Sequence, residues 1–180
     1  MDTDSKPPAA QGRAFARIAF SESVRRVQAH HGTRERCARL EAEGPAQVAL
    51  GEQAVALLER TRSLAIASVG PDGWPYVQHR GGPAGFVKVL GERDIGLGDF
   101  DGNGQFITLG NLLDNPRVHL LVIDRASRER LKLWGRAQVS AAPETLARLD
   151  CPDYPARPRR AVLIRVEAWD FNCHRHLAGA

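Results

Sequence analysis

Several large classes of protein are set aside by what this chain lacks. Its three cysteines, Cys37, Cys151 and Cys173, are odd in number and widely spaced, with no CxxC pair. They outline neither a disulfide framework nor a zinc site, and a reducing cytoplasm is the expected setting. No apolar run reaches the length of a membrane span, and the N-terminal MDTDSKPPAAQG has no hydrophobic signal core, so neither insertion nor export is expected. Charge of one sign is also scarce. A formal net charge of +4, from 25 basic and 21 acidic residues, is spread along the chain. That is no nucleic-acid footprint, but it suits anionic small molecules. The densest basic run, ARPRRA at 156–161, is cut by proline and reads as a solvated linker. Internal repeats and low-complexity tracts are missing as well.

What is present fits one domain, since 180 residues are enough to bury most of their apolar surface in a single core. Residues 1–14 read as a disordered tail. From 15 to 60 the chain is Ala-, Arg- and Glu-rich with helical spacing: Val24 and Val27 fit one helix capped by Ser21, and Val55, Leu57 and Leu58 fit another within GEQAVALLERT, with breaks at Gly32-Thr33 and Gly44-Pro45. This stretch is expected as a helical lead-in outside the core. Residues 61–176 then change period. SLAIASV (63–69), the turn GPDGWP and YVQHR read as a hairpin. Further strand candidates are GFVKVL (85–90), RDIGLGD (93–99), VHLLVID (118–124), RLKLWGRAQVS (130–140) and AVLIRVEAWDF (161–171). Two short helices are expected at QFITLGNLLDNP (105–116) and at PETLARLD (143–150), the second with proline at its start. Six or so strands with short turns imply a mainly β (α+β) fold, a closed or nearly closed antiparallel barrel.

Four segments concentrate polar chemistry. DFDGNGQFITLGN (99–111) opens a helix from a glycine-punctuated loop rich in amide and hydroxyl donors, the makings of a phosphate site; alone it is equally a turn built on Asn-Gly chemistry. QHRGGPAGF offers donors for a planar ring beside glycines that admit close backbone approach, or else a solvated strand edge. RERLKLWG places Arg130 and Lys132 on one face by period two, where two cations meet an anion, although Lys132 also reads as an outward residue. EAWDFNCHRH ends an apolar strand in Trp169, Asp170, Asn172, His174 and His176. Trp169 reads as a ring contact or as a plug in the barrel mouth. His174 and His176 lack a third metal partner, so no metal site is expected, and His119 reads as a core histidine.

Taken in order and at these intervals, GWPYVQHRGGPAGFVKVL, GNGQFITLGNLLDNPRV, RLKLWGRA and VEAWDFNC..H resemble the bacterial flavin-binding split-barrel proteins of the pyridoxamine 5'-phosphate oxidase family. The resemblance covers roughly residues 60 to 176. It implies a six-stranded split barrel, a homodimer, and flavin mononucleotide (FMN) at the subunit interface, with an oxidoreductase reaction on an unidentified small molecule. It puts Gln78, His79 and Arg80 along the ring and ribityl chain, and Asn103, Gln105, Thr108 and Asn111 around the phosphate. Arg130 and Lys132 would lie by the pyrimidine end or the phosphate, and Trp169, Asn172 and His176 would come from the closing strand, of the partner subunit by this reading. Two departures stand out. Similar chains carry arginine and tyrosine where this loop has Gly104 and Phe106, and NCPQH where this chain has NCHRH. Weaker FMN binding follows as an expectation, with a haem-binding or non-catalytic module, or the deazaflavin F420, as alternatives.

Overall fold

The structure, a computed structural model, describes residues 12–100 and 102–171. Its strands are β1 (Ser63–Val69), β2 (Pro75–Gly81), β3 (Val87–Val89), β4 (Asp94–Asp99), β5 (Arg117–Asp124), β6 (Glu129–Ser140) and β7 (Arg160–Phe171). All belong to one antiparallel sheet in the order β2-β1-β5-β6-β7-β4-β3. Each segment that alternation marked as a strand is one. All seven marked segments are strands, one more than the six of the expected barrel, with Val87–Val89 a three-residue edge strand paired with β4.

Alternation decides the two faces. Leu64 and Ile66 of β1, Val118, Leu120 and Val122 of β5, and Leu131 and Leu133 of β6 are buried on the inner face, while Ala65, Ala67, His119, Leu121, Lys132 and Trp134 point to the outer face. The sheet curls until its two ends meet. Arg80 on β2 forms an ion pair with Asp99 on β4, although the two strands lie near opposite ends of the strand order. No strand pairing closes that gap among the described residues, so the architecture is a split barrel whose seam runs between β2 and β4. Gly135 sits at a bulge in β6, where a Cβ would lie 2.6 Å from the Arg165 carbonyl oxygen, so only glycine lets β7 approach there.

Among the described residues there are six helices: α1 (Ala14–Ala19), α2 (Glu22–His30), α3 (Arg34–Ala42), α4 (Glu52–Arg60), α5 (Ile107–Asp114) and α6 (Pro143–Leu149). Ser21 caps α2 as expected, its hydroxyl accepting from the Val24 amide at 3.3 Å. Val24 and Val27 are exposed, however, and the lead-in is not outside the core. Ala54, Leu57 and Leu58 of α4 are fully buried in the main cluster, each leucine contributing about 1.5–3 kcal/mol by leaving water. Ala14, Phe15 and Ala16 of α1 cover the outer face around Trp134 and Ala168. Trp74, in the β1–β2 turn, is 81% exposed. No described helix is long and apolar enough to cross a membrane.

Candidate functional site

The seam brings polar groups together around a cleft. On β2, alternation turns Tyr76, Gln78 and Arg80 to the inner face and leaves Val77 and His79 on the outer. From the other side β4 brings Asp99, and Arg160 is its direct cross-strand neighbour on β7. The loop 102–106 and the first turn of α5 complete a cleft of about 50 Å³ lined by Gln78, Arg80, Asp99, Asn103, Gln105 and Arg160 among others. Asp99 is 5% exposed and accepts from both arginines, from an Arg80 Nη and from Arg160 Nε at 2.9 Å. A carboxylate so placed meets two charge-assisted bonds, which holds both guanidiniums in position.

The loop is shaped by its own side chains. The Asn103 carboxamide oxygen accepts from the Gln105 amide at 3.1 Å, an Asx turn, and its nitrogen donates to Gln105 Oε1 at 3.2 Å. Gly104 adopts φ +73 with open space around it, and Phe106 adopts φ +51 just before α5. The helix therefore starts without a side-chain cap. The Phe106 ring lies under the Arg160 guanidinium at 5.0 Å. Thr108, 1% exposed, donates to Gln78 Oε1 at 3.0 Å, tying α5 to β2.

Of the residues singled out from the sequence, Gln78, Arg80, Asn103, Gln105 and Thr108 meet here. His79 does not, because period two sends it to the opposite face. Asn111 donates to the Ser68 hydroxyl at 3.0 Å and fastens α5 to β1. Arg130 and Lys132 share the outer face of β6, where Lys132 pairs with Asp170 at 3.5 Å and lies over the Phe15 and Trp134 rings; Arg130 has interactions of its own. Trp169 belongs to the main core, its Nε1 donating to the Ala49 carbonyl at 2.8 Å. Asn172 and His176, with Cys173 and His174, lie outside the described residues.

Two titratable groups on the outer face are perturbed. Burial, aided by Lys132, holds the His119 imidazole below its usual pKa, and its ring meets Trp134 edge-on at 4.7 Å. Burial pushes the Asp170 carboxyl up, against the opposing pull of Lys132 and Arg13.

Reading the sequence alone missed Asp99 and Arg160 as site residues. Arg160 falls inside the run taken for a solvated linker, yet it opens β7 and lines the cleft. The glycines of QHRGGPAGF have packing and backbone roles of their own. A Cβ on Gly82 would sit 2.6 Å from Phe86 Cβ, so buried Phe86 fills the space there, and Gly85 is required by φ +81.

Comparison with known proteins agrees with this architecture. The family model described as pyridoxamine 5'-phosphate oxidase matches residues 50–173, a range that includes α4. No curated protein matches the sequence. Among solved structures, an FMN-binding protein from Syntrophomonas wolfei subsp. wolfei is 14% identical, with 84% of this chain and 96% of that one covered at a TM-score of 0.54. A putative pyridoxamine 5'-phosphate oxidase from Lactobacillus delbrueckii is 20% identical, covering 69% of this chain and 95% of that one at a TM-score of 0.53. A conserved hypothetical protein from Mycobacterium tuberculosis is 20% identical, covering 74% and 91% at 0.51. At such identities the likeness is one of fold, whereas the family match spans more than half of the chain: the protein belongs to the pyridoxamine 5'-phosphate oxidase family.

Proposed function

We propose that the protein binds flavin mononucleotide and acts as a flavin-dependent oxidoreductase on a small molecule, as a homodimer with two equivalent cofactor sites. The observation that carries this reading is the seam cleft, where Gln78, Arg80, Asn103, Gln105 and Arg160 converge at the uncapped start of α5. A bound flavin would carry the electrons, and the chain's residues would bind and orient it. Family membership does not extend to the oxidation of pyridoxamine phosphate itself, because fold and chemistry separate readily.

The residues fit the phosphate end of the cofactor. A cleft of about 50 Å³ has room for a compact anionic group and not for a tricyclic ring, since pockets for ligands of that size run to roughly 300–1,000 Å³. Nor can a barrel this narrow take the ring inside. The ring therefore lies beyond the cleft, where a second subunit covers it. The outer face supports such a partner: Ala65, Ala67 and Leu121 are small or apolar and only half-buried, and Val77 and Ile123 are 63% and 41% exposed. His79, Arg130 and Lys132 lie on that same face. The closing strand, with Trp169, Asn172 and His176, is the candidate for a contribution across the interface.

The test is direct. Protein incubated with excess FMN and freed of unbound ligand should retain a flavin absorbance band, and its complete absence would sink the reading. Parallel titrations with haem and F420 separate the alternatives: uptake of either one with no uptake of FMN would replace it.

A further inference from the structure

We infer that Arg160 and Arg80, held in place by Asp99, are the phosphate-binding cations of the cleft, and that Arg160 supplies the charge its loop does not contain. This assignment rests on the flavin reading above. The segment from Gly102 to Thr108 has no basic residue, and Arg80 and Arg160 are the only cations lining the cleft among the described residues. Among the described residues, a phosphate entering the cleft meets no other positive side chain.

Their geometry suits the task. Two guanidiniums against one carboxylate leave the cluster at a net charge of about +1 at neutral pH. Arg160 gives Nε to Asp99, so its two Nη groups remain as a fork of the kind that grips a phosphate through parallel bonds. Arg80 likewise gives one nitrogen. The Phe106 ring under Arg160 fixes the guanidinium plane by a cation–π contact. Phe106 also sets the start of α5, whose first-turn amides have no side-chain cap and favour an acceptor of negative charge. Asp99 adds a negative charge nearby, but without it the two guanidiniums would repel each other and lose their fixed positions. Holding them in advance removes an ordering cost from the binding step.

Such a cluster discriminates. A phosphate ester can accept from both arginines and from the helix amides, whereas the hydroxyl end of riboflavin satisfies few of these donors and leaves the rest stripped of water. Calorimetric titration of the full chain with FMN and with riboflavin, in wild type, Arg160→Gln and Arg160→Lys, tests the assignment, with thermal melts to verify folding. In Arg160→Gln the FMN affinity is expected to fall roughly tenfold to a hundredfold while riboflavin stays within about twofold. Arg160→Lys should lie between, keeping the charge without the fork; if Arg160→Gln does not fold, the lysine variant carries the comparison. Inorganic phosphate should compete with FMN in wild type and compete less in Arg160→Gln. Equal losses for both flavins would make Arg160 a structural latch of the seam, and an unchanged FMN affinity would remove it from the site; either result overturns the assignment while leaving FMN binding intact. If wild type takes up neither flavin, the flavin reading fails and this assignment fails with it.

Discussion

Removing the Asp99 carboxylate would leave the Arg80 and Arg160 side chains, 18% and 26% exposed, facing one another without their shared counter-ion. The seam would then lose its only ion-pair link between β2 and β4 among the described residues. Asp99→Ala is expected to destabilise the fold by roughly 2–4 kcal/mol, somewhat under the ~3–5 kcal/mol for a fully buried pair broken by removing one partner because both guanidiniums keep some contact with water, seen as a lower urea midpoint. A second residue gives a pH signature. His119 has its folded-state pKa below 6.5 through burial and Lys132, so on acidification the unfolded chain takes up the proton first. Stability should therefore decline as pH falls below 6.5 and level off beneath the folded pKa, with no effect of this group at higher pH. Melting temperatures measured between about pH 5 and 7 should show a shallower acid decline in His119→Gln than in wild type; an unchanged slope would exclude this imidazole as the source.

At the scale of elements, packing around single glycines and aromatics decides how the strands meet. Gly82→Ala would drive a Cβ to 2.6 Å from Phe86 Cβ and 2.8 Å from Cγ, and Phe86 is 2% exposed with no room to retreat. A loss of roughly 1–3 kcal/mol is expected from such overpacking, read as a lower melting temperature. The strands themselves were legible in the sequence because inner and outer residues alternate and the turns carry Gly and Pro; even the three-residue β3 lay within a marked segment. The same alternation held information about the site. QHR reads as one polar run, but period two parts His79 from Gln78 and Arg80, so the faces were legible had the rule been applied to that stretch. Asp99 and Arg160 were not legible in that way. They meet only through the β4–β7 register and the curl that returns β2 to β4, contacts between residues far apart in sequence that leave no local signal. Trp169 was ambiguous for a similar reason, since the Ala49 carbonyl that holds it lies in the lead-in and not in the barrel segments.

For the whole molecule, the homodimer proposed above would use the part of the outer face that α1 leaves uncovered. A two-fold dimer covers the same patch on both subunits with one self-complementary contact. Ala65, paired with His79 and Leu121 on that face, is a position where an added charge would meet its own copy or its neighbours in the interface and only water in a monomer. Ala65→Arg should shift the mass measured by light scattering at low micromolar concentration from dimer to monomer and weaken FMN uptake, with a melting transition retained; an unchanged dimer mass would place the interface elsewhere. The three tryptophans occupy three distinct settings: Trp74 in water, Trp134 stacked on Phe15 and touching His119 on the outer face, Trp169 enclosed in the core. The fold thus carries its own optical reporters. With Trp74 replaced by Phe, the remaining emission would come from one indole in the core and one on the outer face beneath α1. Loss of that emission as FMN is added would register energy transfer to an arriving flavin.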